Sequence, residues 1–491
     1  MRKPSLKSLL GSAMFCFLAA FLAGQAAKEG TPAYPPTPAG RSAQAFLEAF
    51  NAGEPARLER FFAEHVDAET ARRIPPADRA ARLMEMRREL GRVTLKRVDA
   101  VSPDAVAMIL EGEKGRLIKL TLEFGPAPGR YLLGIMMDDA DQADLAGPLP
   151  PMTRAEALST IERELAKRTA ADRFSGVVLI SQPKAAPYLK AWGLASREFG
   201  APNRTDTKFN LGSINKIFTK TAIAQLLEKG KLSLDDTLGR LLPDYPNQDA
   251  AAKVTVRQLV AMRSGIGDFF GPKFDKAPKD AFRRNADFLV MFADQPLAFE
   301  PGTQEQYSNG GYVVLGEIVA HISGLEYYEY VRRNIYGPAG MASSDSYEAD
   351  AVVTNLAEGY TRDWDENDHS GEPLRKNIYT RPARGSSAGG GYSTAEDLLR
   401  FVEALQSHKL LSAPYTEWML GGPEPAAGVP SAPRKRGPAG MGVAGGAPGI
   451  NAALEFEAGA GPVVIVLANL DAPAAMDAAR MIRRTMAAVK D

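Results

Sequence analysis

The chain has 491 residues, enough for two or three domains, and its 45% hydrophobic and 24% charged residues are ordinary for a globular protein. Lys plus Arg and Asp plus Glu both number 59, so the formal net charge is zero. Nucleic acids and anionic membrane surfaces bind proteins through an excess of basic residues. We therefore expect no nucleic-acid partner.

The N-terminus has the pattern of an export signal. Three basic residues precede an uncharged, largely apolar run over residues 9–22, and small residues lie around Gln25. A membrane anchor is the alternative, but the run is shorter than the ~20 residues that a bilayer span needs. We therefore predict a signal peptide over residues 1–26 and a periplasmic or secreted protein, with no stable membrane anchor after cleavage.

The position of the cysteine limits the chemistry available to the mature chain. Cys16 is the only cysteine and lies inside the apolar run, where Met14 and Phe15 replace the small residues of a lipidation signal. Cleavage leaves a mature chain without cysteine, which excludes disulfides, thiolate metal sites and cysteine nucleophiles. No cluster of histidine and carboxylate residues has the spacing of metal ligands. We expect neither a metal nor a cofactor.

A linker and a small domain are predicted over residues 27–146. Residues 27–40 are rich in Pro, Ala and Gly and indicate a linker. The domain over residues 41–146 begins with helical periodicity and continues with four alternating segments; the helices are expected near residues 42–51 and 77–90, and the strands near 93–98, 105–110, 117–124 and 131–136. Helices followed by consecutive strands predict an α+β domain with an antiparallel sheet. This order resembles cystatin-like (NTF2-like) domains.

A second domain is expected over residues 152–491, after the Gly- and Pro-rich segment 147–151. It opens with a helix and strands near residues 176–181 and 188–193. It ends with strands near residues 452–457 and 462–469 and a terminal helix. We predict that the first and last strands share one antiparallel sheet, covered by the helical middle of the domain.

A Ser-x-x-Lys pattern at Ser213 and Lys216 gives the first chemical signal. Helical spacing of apolar residues over residues 217–229, closed by Gly230, predicts a helix with Ser213 in its first turn. Residues three apart lie on one face, so the amine can reach the hydroxyl. A serine becomes a nucleophile when an adjacent base takes its proton, and burial can make a lysine that base.

Other interpretations have to be weighed against a catalytic pair at Ser213 and Lys216. Ser181 and Lys184 also match, but Pro183 after a strand predicts a hairpin turn. A helix cap with a solvated lysine would explain Ser213 equally well if the pattern stood alone. Residues 385–389 match the Gly-x-Ser-x-Gly elbow, yet that elbow requires a helix directly afterwards, and more glycines follow instead.

A Tyr-x-Asn pattern at Tyr307 and Asn309 favours the catalytic interpretation of Ser213 over the helix cap. Alternate residues of an extended segment point to one side. Tyr307 is a candidate proton relay to the leaving group, and Asn309 is a candidate to bind a substrate amide or to hold Lys216. Tyr245 and Asn247 fit the same pattern but lie in a predicted turn, which we interpret as structural.

Together these motifs resemble the serine β-lactamase-related family, which includes class C β-lactamases, D-alanyl-D-alanine carboxypeptidases and esterases. Four stretches carry the resemblance in matching order: residues 209–216, 259–265, 301–316 and 385–394. The resemblance implies an α+β, three-layer fold with helices on both sides of an antiparallel sheet. It also implies an exported serine hydrolase that forms an acyl-enzyme on Ser213 and acts on small-molecule or peptide substrates, either esters or amides.

The third family motif departs from its pattern. Relatives carry Lys-Thr-Gly or His-x-Gly, and residues 442–449 align with it, with Val443 in place of the cation. Gly445 and Gly446 remain, and the amides of Gly446 and Ser213 are the expected oxyanion hole. The missing cation predicts that neutral esters are favoured over β-lactams and D-Ala-D-Ala peptides, unless the basic residues 434–436 compensate. A catalytically weakened protein that binds cell-wall peptides is the alternative.

Overall fold

The structure, a computed structural model, describes residues 32–73, 75–125, 131–363, 369, 371–422, 424, 440–457, 459 and 461–490. The predicted signal peptide and the basic residues 434–436 lie outside this described part. Contacts divide the chain into two compact units, Met1–Pro148 and Leu149–Asp491. Among the described residues, no helix combines the length and apolarity that a membrane crossing requires.

The first unit consists of helices followed by a four-stranded antiparallel sheet in the order β1-β2-β3-β4, which confirms the predicted α+β order. Its elements are α1 (Pro38–Ala52), α2 (Pro55–His65), α3 (Ala68–Arg73), α4 (Pro76–Leu90), β1 (Thr94–Ser102), β2 (Ala105–Glu111), β3 (Leu117–Phe124), β4 (Leu132–Asp139) and α5 (Gln142–Leu145). Helices α2 and α3 were not predicted. Helix α1 begins inside the predicted linker, because Thr37 caps it and Pro38 suits its first position.

The second unit alternates short strands with many helices. Its elements are α6 (Arg154–Ala170), β5 (Gly176–Gln182), β6 (Ala185–Trp192), β7 (Leu194–Ser196), β8 (Ala201–Pro202), β9 (Phe209–Asn210), α7 (Lys216–Glu228), α8 (Leu238–Leu241), α9 (Gln248–Lys253), α10 (Val256–Val260), α11 (Pro272–Lys276), α12 (Asn309–Ser323), α13 (Tyr327–Val331), α14 (Gly337–Ala339), β10 (Tyr360–Thr361), β11 (Arg375–Lys376), β12 (Tyr392–Ser393), α15 (Ala395–Gln406), α16 (Ala413–Met419), β13 (Gly440–Ala447), β14 (Ile450–Glu457), β15 (Val463–Ala468) and α17 (Ala474–Met486).

The main sheet of this unit joins the two ends of the domain. Its order is β13-β14-β15-β5-β6, and every neighbouring pair is antiparallel. Strand β15 lies beside β5, with Val463 opposite Ser181 and Ala468 opposite Gly176. The predicted pairing of the first and last segments is therefore confirmed.

Alternation along the strands of this sheet produces three layers. In β5, Val178 and Ile180 pack in one buried cluster with α6 and α17, whereas Val177 and Leu179 belong to the large cluster on the opposite face. Successive side chains of a strand point to opposite faces, so a strand that is buried on both faces reads as a continuous apolar run. Helices α7, α12 and α15 contribute to the large cluster. This is the three-layer α+β fold that the resemblance implied.

Strand β13 passes very close to the turn that carries Ser213. A Cβ atom on Gly445 would lie 1.9 Å from the carbonyl oxygen of Leu211 and 3.1 Å from the amide nitrogen of Ser213. Gly442, on the same strand, has no heavy atom within 4 Å of the equivalent position. The glycine at position 445 is therefore required by a close approach of two backbone segments.

We expect Gly445→Ala to lower the free energy of unfolding by about 1–3 kcal/mol, because the added methyl group forces two backbone segments apart. Gly442→Ala is the matched control on the same strand and should change stability by less than about 0.5 kcal/mol. Urea denaturation of both variants measures the difference. Equal effects of the two substitutions would contradict the close approach.

Candidate active site

Ser213 is held by a short, constrained turn. Strand β9 pairs with β12, with Asn210 opposite Tyr392, and the chain then enters a 3₁₀-helix over Gly212–Asn215 before α7 begins at Lys216. Gly212 has a φ of +50°, a conformation that favours glycine. The helical turn predicted around Ser213 is thus present but wound as 3₁₀, with Ser213 half-buried at its start.

Lys216 is buried and points its amine at three oxygen atoms. The Nζ atom lies 3.2 Å from Ser213 Oγ, 2.7 Å from Asn309 Oδ1 and 2.5 Å from the carbonyl oxygen of Ala388. Two of these are acceptors only, whereas the serine hydroxyl can also donate. When the amine has lost its proton, Nζ can accept a hydrogen bond, and the Ser213 hydroxyl can then be the donor. Of these three partners, only Ser213 has a hydrogen that it could donate to a neutral Lys216 amine.

Burial sets the charge state of this amine. Removal from water lowers the pKa of Lys216 to about 7, and the negative charge of Asp268 offsets part of that lowering. Among the described residues, no carboxylate lies within ion-pair distance of Nζ. Asp268 is separated from the amine by Asn309, whose Nδ2 donates to Asp268 Oδ2 at 2.7 Å. The pKa of this amine therefore lies well below that of a lysine in water.

Tyr307 and Asn309 both reach this pair, as their spacing suggested. The Tyr307 hydroxyl lies 2.6 Å from Ser213 Oγ, and its ring lies 4.8 Å from Lys216 Nζ. Burial raises the pKa of the Tyr307 phenol, so it stays protonated at neutral pH. Asn309 begins α12 behind the cap residue Ser308. The Asn309 amide therefore contacts Lys216 through Oδ1 and Asp268 through Nδ2, and Asn309 also lines the cavity described below.

The Gly-rich segment before β12 supports the site through its backbone. Ser387 is buried and its hydroxyl donates to Asn285 Oδ1 at 2.6 Å, so it has no path to an external substrate. The next residue, Ala388, supplies the carbonyl oxygen that accepts from Lys216. The segment lines the cavity described below and, as predicted, does not form a nucleophile elbow.

The two motif look-alikes have structural roles. Ser181 and Lys184 lie at the hairpin between β5 and β6, where Gln182 pairs with Ala185. The Asn247 side chain accepts a hydrogen bond from the backbone of Ala250 and caps α9. Neither look-alike lies at the cavity described below.

Ser213 opens into a cavity of about 310 Å³ with an aromatic wall. Phe269, Phe270, Phe288 and Tyr347 line part of it, and Gly446 lies at its edge together with Ser213. Gly446 follows Gly445 on β13, and its backbone nitrogen lies beside Gly212, the residue before Ser213. Val443 is half-buried on the same strand, packs against the large core cluster and is not among the described residues that line the cavity.

Sequence reasoning missed three contributors to this site. Asp268 carries no motif of its own, and its proximity to Asn309 arises from the loop between α10 and α11. The Ala388 carbonyl oxygen has no sequence signature because every residue has one. The phenylalanines of the wall belong to no motif and were not singled out in the sequence. Only their convergence in three dimensions distinguishes them.

Comparison with known proteins places the chain in a family. The Beta-lactamase family model matches residues 161–487, and the chain belongs to that family. Penicillin-binding protein 4* of Bacillus subtilis (strain 168) is 31% identical over 247 residues, which cover 49% of this chain and 54% of that protein. Esterase EstB of Burkholderia gladioli is 29% identical over 246 residues, covering 45% of this chain and 62% of that one. The chain thus spans less than two thirds of either relative.

A solved structure agrees with the fold. The penicillin-binding protein from Bacillus halodurans is 30% identical, covers 66% of this chain and 98% of its own, and superposes with a TM-score of 0.55. Its match extends over a length that corresponds to the second unit alone. The resemblance inferred from the motifs is therefore confirmed at the level of family and fold.

We expect Asp268→Asn to lower the pKa of the Lys216 amine further, because the substitution removes the negative charge that favours the ammonium form. The pKa can be followed by the ¹³Cε chemical shift of labelled lysines during a pH titration, with the signal assigned by its loss in Lys216→Arg. Asp206→Asn, on an exposed surface pair with Arg204, is the matched control. An unchanged or higher midpoint in Asp268→Asn would contradict the coupling.

Proposed function

We propose that this protein is a serine hydrolase that cleaves esters or amides through an acyl-enzyme, with Ser213 as nucleophile and Lys216 as general base. The observation that carries the proposal is the buried Lys216 amine, whose lowered pKa and hydrogen-bond partners leave the Ser213 hydroxyl as its proton donor. Membership of the Beta-lactamase family and relatives named penicillin-binding protein and esterase support it.

In the first step, Ser213 Oγ bonds to the substrate carbonyl carbon while its proton passes to neutral Lys216 Nζ. The carbonyl π electrons move to the oxygen, and we assign the amides of Ser213 and Gly446 to stabilise that oxyanion. The C–O or C–N bond to the leaving group then breaks. The proton held by Lys216 passes through the Tyr307 hydroxyl to the departing oxygen or nitrogen, which restores the neutral amine.

In the second step, a water molecule replaces the leaving group. Neutral Lys216 takes one proton of that water, directly or through Tyr307, while the water oxygen bonds to the acyl carbon. The Ser213–acyl bond breaks, and the proton returns to Ser213 Oγ. Substrate and water yield one carboxylic acid and one alcohol or amine, so no cofactor or metal enters the balance.

The proposal extends to location and substrate class. The export signal read from residues 1–26 would deliver the enzyme to the periplasm or the medium, where a small molecule or a peptide is the substrate. A weakened relative that binds cell-wall peptides without turnover is the second candidate, and Val443 in place of the family cation is the feature that favours it.

We expect a fluorophosphonate probe to label the mature protein covalently, and Ser213→Ala to abolish labelling, because the probe reacts with an activated serine. Lys216→Arg should slow labelling by about 10³-fold or more, since a guanidinium remains protonated and cannot accept the proton. Ser181→Ala is the matched control at the Ser-x-x-Lys look-alike. Mass spectrometry of the labelled peptide provides the readout. An unlabelled parent would favour the binding protein, and undiminished labelling of Lys216→Arg would remove Lys216 as the base.

A further inference from the structure

One charged side chain stands out among the described residues that line the cavity beside Ser213. The lining residues are apolar, aromatic, small or neutral-polar with the exception of Arg381. The family cation expected on β13 is replaced by Val443, which packs into the core instead. Within the described cavity wall, the positive charge is therefore supplied by Arg381, which lies just before the Gly-rich segment, and not by a residue of β13.

The guanidinium of Arg381 has a neutral hydrogen-bond partner. Its Nη1 donates to the Tyr392 hydroxyl at 2.6 Å, while its Nε is buried without a hydrogen-bond partner. Among the described residues, no carboxylate forms an ion pair with Arg381. Other arginines of the unit do find such partners, for example Arg283 with Asp350 at 2.7 Å and Arg332 with Asp345 at 2.9 Å. Within the described part of the protein, the charge of Arg381 is thus not paired with a carboxylate.

Arg381 is also fixed relative to the nucleophile. Its partner Tyr392 is buried and pairs with Asn210 across the β9–β12 ladder. The backbone amide of Leu211 donates to the carbonyl oxygen of Gly391 at 2.8 Å. The residues that lead into the Ser213 turn are therefore hydrogen-bonded to the strand that anchors the guanidinium. A substrate bound at Ser213 meets the Arg381 charge at a defined place.

We infer that Arg381 binds a carboxylate of the substrate, and that this enzyme prefers acyl substrates bearing a carboxylate over neutral ones of the same shape. The inference rests on the proposed hydrolase function. A guanidinium with no acidic partner in a cavity with an aromatic wall recognises an anion strongly, because a charge-assisted pair forms where water competes poorly. A carboxylate matches the planar fork of donors. This inference replaces the preference for neutral esters that Val443 suggested.

The test compares two esters that differ by one carboxylate: the mono-4-nitrophenyl ester of glutaric acid and 4-nitrophenyl valerate. Acylation is followed as nitrophenolate release, and the ratio of kcat/KM for the acidic over the neutral ester is the readout. We expect Arg381→Gln to lower this ratio about 10- to 100-fold, the usual effect of losing a hydrogen bond to a charged group, and Arg381→Lys to restore part of it. Arg204→Gln removes an equal charge at an exposed position and should leave the ratio within about twofold.

Two results would overturn the inference, and they are distinguishable. If Arg381→Gln lowers the ratio no more than Arg204→Gln does, while the fluorophosphonate probe still labels Ser213, then Arg381 does not bind the carboxylate and the hydrolase proposal stands. If the parent releases nitrophenolate from neither ester and Ser213 is not labelled, the hydrolase proposal fails and the inference fails with it.

Discussion

The desolvation of one lysine amine is the constraint on which the site depends. A lysine in water is protonated at neutral pH and cannot accept a proton. Lys216 is buried in the first turn of α7, among acceptor oxygens that stabilise the ammonium form and a protein interior that opposes it. Burial prevails and brings the pKa of the amine to about 7. Moving the amine toward solvent would therefore return its pKa toward that of a free lysine, although every side chain of the site would still be present.

The surrounding fold explains how this burial is maintained. The turn with Ser213 is confined between strand β13, where only glycine fits at Gly445, and the segment that supplies the Ala388 carbonyl oxygen. Helix α12 brings Asn309 to the amine, and Asp268 fixes the Asn309 side chain. Four stretches that are distant in sequence therefore meet around one amine: strand β13, the Gly-rich segment, helix α12 and the loop that carries Asp268.

The chemistry of the site could be predicted from the sequence to the extent that it follows local spacing. Ser213 and Lys216 share one helical face, and Tyr307 and Asn309 are separated by one residue, so short-range geometry constrained each pair. The sheet could be predicted because β5 and β15 are apolar runs near opposite ends of the domain. Asp268 and Arg381 could not be identified, since their roles arise from tertiary contacts with Asn309 and Tyr392. Helix α2 was not predicted, because its short amphipathic pattern lies among charged residues. Helix α1 begins earlier than predicted, because the Thr37 cap outweighs the Pro-, Ala- and Gly-rich composition of the expected linker.

The central claim is that neutral Lys216 activates Ser213, and the pH dependence of acylation tests it most directly. Only the deprotonated amine can accept the serine proton, so the acylation rate should rise with pH through a single ionisation near pH 7 and reach a plateau above it. The measurement is the second-order rate constant for nitrophenolate release from a 4-nitrophenyl ester between pH 5 and 9, corrected for spontaneous hydrolysis. A midpoint near 7 that moves to lower pH in Asp268→Asn supports the account. A rate that is flat across this range, or that begins to rise only near the pKa of a solvated lysine, would contradict it.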